Sequence, residues 1–339
     1  MANTDRLRLI MDVQARGFAL AAQLLLRQLV ALWRDFDKYY DGDLVAARAA
    51  RSATMVDAAT DGIRRQTKSY LSFAYQQFDD LQFPTDEEID AQNDQLLDRL
   101  VNPLDEWNRP AEQFRFAESQ GQPRGKAIEV ATKRVEELAD LDMALAMRNT
   151  ASNIFKATPK VTGYRRVIHP ELSESGTSCG LCIAASTRIY SKEELLPLHD
   201  HCHCTVMPIV GDDDPGDFFN KEDIDLLNEL YKAAGGDNTA QGLSRVRFKV
   251  IQNSELGPYL VEEGSKTKGI HPSPSNPRTK ISRSDSVDAQ IKSLTDSLER
   301  LLIRQRMGED VAQPIVWQQD RLRLLRKEQE LATRTRRRR

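Results

Sequence analysis

The sequence has little of what marks secreted or membrane proteins. It has four cysteines in 339 residues, all between positions 179 and 204. Its longest apolar run, from Phe18 to Leu26, is interrupted by Gln23 and falls short of the roughly 20 apolar residues that span a bilayer. The first residues, MANTDRLRLIMD, lack the apolar segment and cleavage site of a signal peptide. We therefore expect a protein made in the cytoplasm, without membrane contact, whose thiols stay reduced.

Several enzyme signatures are missing as well. The chain has no P-loop, no dinucleotide-binding fingerprint and no HExxH motif. Its residues are 40% apolar and 29% charged, which allows packed cores in a charge-rich chain. The length suits two domains of ordinary size, or one domain with helical extensions.

Charge is distributed unevenly along the chain. The whole sequence has a net charge of -3. From Arg278 onward there are 16 Lys and Arg against 9 Asp and Glu, a net of +7, so the remainder has a net of -10. The excess of positive charge ends in a run of arginines that predicts an anionic partner, such as nucleic acid or an acidic protein face. The predicted nucleic-acid-binding residues are Arg334, Arg336, Arg337, Arg338 and Arg339. A solvated tail without a dedicated partner is the alternative.

The spacing of apolar residues predicts a mainly α protein with an N-terminal helical bundle over 1–158. Apolar residues from Leu7 to Phe36 recur mostly every three or four positions. Asp41-Gly42 predicts a turn before a second helix, and the sequence leaves open whether that helix is interrupted once. Thr85 with Glu88 matches a capping box, and a further long helix is expected from the GQPRGK segment to about Phe155. Long helices with short connections favour antiparallel packing.

The second half is predicted to contain a small zinc-stabilised α+β unit and a C-terminal helical hairpin. The α+β unit, 159–264, combines strand-like segments near 161–170, 204–211 and 245–253 with one helical stripe. A Pro- and Ser-rich linker covers 265–282. Two helices follow in 283–339, separated near Met307-Gly308, and the second ends in the basic tail.

The four cysteines form a pattern that is typical of a metal-binding site. Cys179 and Cys182 make a C-x2-C knuckle, and Cys202 and Cys204 follow after 19 residues as a C-x-C pair. Two thiolate pairs at this separation suit one tetrahedral structural Zn²⁺. His199 is a credible ligand if one cysteine is displaced, so the choice between His199 and Cys204 as fourth ligand stays open.

Enzymatic interpretations of the same segment are weaker. A thiol hydrolase would pair Cys179 or Cys202 with a nearby histidine, but clustered cysteines favour metal ligation. Asp200-His201 after a C-x2-C is reminiscent of HNH nucleases, yet a second C-x2-C is missing and only Asn220 and Asn228 could supply the downstream residue. A serine protease using His169 has no local signature, and His169 before Pro170 is interpreted as structural.

The segment from Tyr164 to Ile209 resembles the zinc-knuckle segment of the phage Mu protein F-like minor capsid (head morphogenesis) proteins of tailed bacteriophages, in the style of phages that infect actinobacteria. His201 and His203 fall on variable positions of that pattern, which argues against a catalytic role for either. The positions that match are Cys179, Cys182, Arg188, Ile189, Tyr190, His199, Cys202, Cys204 and Thr205.

This resemblance covers roughly residues 161–210 and implies a non-enzymatic virion protein made in the host cytoplasm. It implies a few copies inside the head near the portal, in contact with the portal or the major capsid protein. The expected role is head assembly and DNA packaging or delivery, with packaged DNA meeting the basic tail. Some relatives are described as capsid maturation proteases, so a protease or an HNH-like nuclease is kept as the alternative.

Overall fold

Long helices dominate the first half of the chain in the computed structural model. The structure describes residues 3–92, 103–172, 178, 180–192, 204–233, 248–253, 257–262 and 283–337. The helices of the first half are α1 Thr4–Arg34, α2 Gly42–Tyr75, α3 Asp86–Asp90, α4 Pro103–Trp107, α5 Arg109–Ser119 and α6 Arg124–Ala157.

The first two helices form the predicted antiparallel pair. The backbone N–H of Asn3 donates to the carbonyl of Gln77, so the start of α1 lies beside the end of α2. The indole of Trp33 donates to Ser52 Oγ at 3.0 Å, so the end of α1 lies beside the start of α2. The second helix is continuous over its 34 residues, without the interruption that the sequence left open.

Local sequence signals fix several helix ends. The Asp41 side chain accepts from the backbone N–H of Leu44 at 3.1 Å and caps the start of α2. The Thr85–Glu88 capping box is present in both directions at the start of α3. Gly308 adopts φ 88°, a left-handed conformation suited to glycine, two residues after the helix that ends at Arg306.

The second half combines short strands with helices. The elements are β1 Val161–Val167, a 3-10 turn Pro170–Leu172, α7 Gly180–Ser186, β2 Ile189–Tyr190, β3 Thr205–Val210, α8 Pro215–Ala233, β4 Phe248–Asn253, β5 Gly257–Glu262, α9 Arg283–Arg306 and α10 Ala312–Arg337. The fold is thus mainly α with a small sheet, as predicted. The predicted linker 265–282 lies outside the described residues.

The central sheet has the order β2-β1-β3, and both outer strands are antiparallel to β1. Tyr164 pairs with Tyr190 on one side, and Val167 pairs with Thr205 on the other. A separate antiparallel pair joins β4 and β5. The short β2 and the whole of β5 were not predicted from the sequence.

The chain divides into two compact units by its contacts. The first is made of Met1–Arg27, Thr54–Val101 and Glu137–Ser273, and the second of Gln28–Ala53, Asn102–Glu136 and Pro274–Arg339. The sequence divisions 1–158, 159–264 and 283–339 follow chain order, whereas the contact units take pieces from separate stretches. Each unit therefore contains part of α1, α2 and α6.

Both units have their own apolar core. In the first, side chains of α1, α2 and α6 pack on the sheet. The cluster includes Leu7, Tyr70 and Phe155 from these helices and Val206 from β3. In the second, Tyr39 stacks on Phe114 with ring centroids 3.8 Å apart. Its helical hairpin closes over a small cluster formed by Leu301, Val311 and Ile315.

Helix α1 is long and apolar enough to cross a membrane by length and composition, although the sequence was expected to contain no such stretch. One third of its most apolar window is buried in the protein. Leu7, Met11 and Phe18 are among its buried residues. A core helix of a folded domain meets the same criterion, so this feature alone does not indicate a membrane segment.

Candidate functional site

The structure describes two of the five predicted zinc ligands. Cys182 lies on α7 and Cys204 directly precedes β3, and their exposed fractions are 7% and 2%. Cys179, His199 and Cys202 lie outside the described residues. The arrangement of the complete ligand set therefore stays a prediction.

Sheet topology brings the segments of Cys182 and Cys204 to one end of the sheet. Because β2 and β3 are both antiparallel to β1, their first residues lie beside the end of β1. Tyr190 donates its hydroxyl hydrogen to the carbonyl of Ala185 at 2.8 Å, which fixes the end of α7 near β2. Thiols that are far apart in sequence thus come from adjoining parts of one small fold.

Arg148 supports this end of the sheet from α6. Arg148 is 1% exposed, and its guanidinium donates to the backbone carbonyl of Cys204 at 2.8 Å. Burial raises the pKa of the nearby Tyr190 phenol to about 12, and the charge of Cys204 adds to that rise. Cys204 therefore lies among ionisable and aromatic groups in the protein interior.

Asn220 of α8 is bound to the backbone on all sides. Its side-chain oxygen accepts from the N–H of Ile168 at 3.0 Å. Its amide group donates to the carbonyls of Arg166 at 2.7 Å and Ser186 at 3.1 Å. Both amide hydrogens of this residue, which was considered for a nuclease, are used to join α8, β1 and α7.

The buried His169 lies in a hydrogen-bonded relay that the sequence did not reveal. Its Nδ1 lies 2.9 Å from Glu171 Oε1, and its Nε2 lies 2.9 Å from Thr205 Oγ1. The order of carboxylate, imidazole and hydroxyl resembles that of a hydrolase triad. However, the exposed fraction of Thr205 is 2%, so its hydroxyl is closed to an external substrate. The relay instead connects the segment after β1 to the start of β3.

Further charged groups surround the relay. Asp12, His169 and Glu171 offer three ligand atoms that lie within 4.8 Å of one another, a spacing that a metal ion could use. The Arg8 guanidinium lies 3.8 Å from Asp12 and 3.1 Å from Asp223, so a cation is already present beside the carboxylates. Both ring nitrogens of His169 are hydrogen-bonded, and we interpret the group as an ion network of the fold.

Two carboxyl groups of this network have shifted pKa values. Burial raises the pKa of the Asp223 carboxyl, against the opposing effect of Arg8. Burial also acts to raise the pKa of Glu171, but the hydrogen bond and charge of His169 outweigh it and the pKa falls below its usual 4.5. The ionised form of Glu171 is therefore favoured by the fold.

Replacing Glu171 with Gln is expected to lower the free energy of unfolding near neutral pH. Because the pKa is lowered in the folded state, the stabilising effect is present above the usual pKa and disappears as pH falls through the folded value. The difference between the wild type and Glu171→Gln should therefore shrink as pH falls below the usual pKa of 4.5, and it should vanish once pH is below the lowered folded-state pKa. Urea unfolding across this range measures it, with the more exposed Glu222→Gln as control. A difference that stays constant into acid would contradict the assignment.

The predicted nucleic-acid contact begins on a helix. Helix α10 reaches Arg337, so the backbone of Arg334, Arg336 and Arg337 is helical. Arginines in a final turn interact favourably with the negative end of the helix dipole. Arg338 and Arg339 lie outside the described residues.

A cavity of about 620 Å³ lies in the second unit, apart from all predicted site residues. Asp37, Arg124 and Trp317 are among its lining residues. Arg124 donates to the carbonyl of Asp37 at 2.7 Å, and Lys38 lies 3.7 Å from the Asp37 carboxylate. Two of its cationic side chains thus contact Asp37, one at the backbone and one at the carboxylate.

No protein-family model matches the chain, nor does any curated protein or solved structure. What the site does is therefore inferred from its own residues.

Proposed function

We propose that this protein is a minor capsid protein of a tailed bacteriophage, which acts inside the head near the portal in head assembly and in DNA packaging and delivery. The observation that supports it most is that the segments of Cys182 and Cys204, both buried, adjoin the same β2-β1-β3 sheet. Their segments belong to the stretch whose residues resemble the zinc knuckle of such proteins. A metal held there would connect α7 to β3.

The residues fit a structural Zn²⁺. Its ligands would be drawn from Cys179, Cys182, Cys202 and Cys204, with His199 as the alternative fourth ligand. The two described cysteines are buried, and four soft ligands leave no open position for substrate. Two side chains also stabilise this end of the sheet. Arg148 donates to the backbone carbonyl of Cys204, and Asn220 donates to that of Arg166.

The enzymatic alternative, a capsid maturation protease or an HNH-like nuclease, is supported less well. Asn220 is used for backbone hydrogen bonds, and the Thr205 hydroxyl next to His169 is buried. Both groups therefore have structural tasks in this fold. A structural role, in which a metal stabilises the small sheet, explains the same residues more simply than an enzymatic role does.

The charge distribution fits an interior position. A basic C-terminal tail would meet packaged DNA, and the acidic remainder of the chain would not bind DNA nonspecifically. The portal and the major capsid protein are the proposed protein partners. We expect several copies in each virion.

The proposal is tested on particles made by the strain that encodes this chain. Purified heads should contain the chain at a low ratio to the major capsid protein, protected from added protease until the heads are opened. Heads with a chain that lacks Arg334–Arg339 should retain less DNA. Absence of the chain from purified heads would overturn the proposal. Unchanged DNA retention in heads with the truncated chain would contradict a DNA-binding role of the tail.

A further inference from the structure

Helix α10 has an exposed basic face that begins well before the arginine tail. The side chains of Arg323, Arg326 and Lys327 are all exposed. The apolar stripe of the helix, which includes Leu322 and Leu325, is buried in the second unit. The three basic side chains are therefore not part of the packing that holds the helix in place.

Helical geometry places these residues on one side. At about 100° per residue, Arg323, Arg326 and Lys327 fall within an arc of about 100°. The backbone positions of Arg334 and Arg337 continue the same arc towards the end of the helix. From Arg323 to Arg337 the helix rises by about 21 Å. The helical positions of this arc thus continue as far as the arginine tail.

Few carboxylates oppose this charge. Glu330 lies within the arc and Asp320 at its border, against the five basic positions. Asp320 lies 3.0 Å from Arg323, but both side chains are largely exposed, at 58% and 78%. Exposed pairs of this kind are weak. The Arg323 guanidinium therefore remains able to bind another anion.

We propose that this face, made of Arg323, Arg326 and Lys327, binds the phosphate backbone of duplex DNA together with the tail. The inference rests on the proposed DNA contact of Arg334–Arg339 and extends it by about three turns of helix. Guanidinium groups fit phosphate oxygens in a bidentate manner. Contacts of this type position DNA without reading its sequence, which suits a protein that meets a whole packaged genome.

The test measures the binding of the full chain to a random-sequence DNA duplex over a series of salt concentrations. Four proteins are compared: the wild type, R323Q/R326Q/K327Q, a chain lacking residues 334–339, and the control R34Q/R51Q/K133Q. The control removes the same charge from other exposed positions of the second unit. Glutamine has a helix propensity close to that of arginine and lysine, so the helix should be retained.

Each phosphate contact contributes about 0.9 to the slope of log affinity against log salt. The slope of the R323Q/R326Q/K327Q variant should therefore be smaller in magnitude than that of the wild type by about two to three. The slope of the control should match that of the wild type. A normal slope in that variant with a reduced slope in the truncated chain would overturn the helix-face inference and leave the tail contact intact. If the wild type does not bind the duplex, both the inference and the proposed DNA contact fail.

Discussion

Removal of zinc by a chelator at neutral pH is expected to unfold the region around the β2-β1-β3 sheet. The proposed metal connects α7, which contains Cys182, to the segment that starts β3 at Cys204. Zinc binding contributes about 10–16 kcal/mol in finger peptides, and a whole domain is stabilised by about 5–15 kcal/mol. The sheet should therefore depend on the metal, whereas the α9–α10 hairpin, with its own core, should persist.

Hydrogen exchange followed by mass spectrometry can locate this loss. After chelation, protection should fall in β1 and β3 and should remain in α9 and α10. The same sample should release one zinc per chain and expose four thiols to titration. Cys182→Ser should lose zinc and protection in β1 and β3 without any chelator. His201→Ala should keep the zinc, because His201 occupies a spacer position in the proposed knuckle. Thiols that react freely before chelation would contradict the proposed metal centre.

The long helices could be predicted because their signals are local. Apolar residues at three- and four-residue spacing identified α1 and α6, and the Thr85–Glu88 capping box identified the start of α3. Met307-Gly308 marks the break between α9 and α10. Each of these signals depends on neighbours along one turn of helix, so no knowledge of tertiary contacts is needed.

Other elements depend on contacts that a sequence pattern does not contain. The two residues of β2 are a strand because they pair with Tyr164 and Arg165 of β1, and two residues show no periodicity. The His169 network joins Asp12 in the first helix to Glu171 and Thr205, which are far apart in sequence. Only the folded chain brings such groups together.

The candidate metal centre was predicted from residue type and spacing alone. The fold adds that Cys182 and Cys204 are buried and that their segments share one end of a sheet. It also adds Arg148, which a sequence reader has no reason to select from a long helix. The other three ligands stay a prediction from the sequence, because they lie outside the described residues.

A second large effect is expected from replacing Asp214 with Ala. Arg165 in β1 is 6% exposed, and its Nε and Nη2 donate to Asp214 Oδ2 at 2.8 Å and 2.6 Å. Its Nη1 donates to the carbonyl of Ser186 at 3.3 Å. Removing the carboxylate leaves a buried guanidinium without its main counter-charge. Loss of one partner of a buried pair costs about 3–5 kcal/mol, and urea unfolding near neutral pH measures it.

Two further variants separate the causes of this loss. Asp217→Ala removes only a contact of 3.4 Å from a side chain that is 55% exposed, so it should cost less than about 1 kcal/mol. Asp214 also accepts from the backbone N–H of Asp217 at the start of α8, and Asp214→Asn keeps an oxygen for that bond while it removes the charge. Combining Asp214→Asn with Arg165→Met should recover much of the loss, because no unpaired charge then stays buried. Equal stability of Asp214→Ala and Asp217→Ala would show that water reaches the Arg165 guanidinium, and the ion pair would then contribute little to holding β1 against α8.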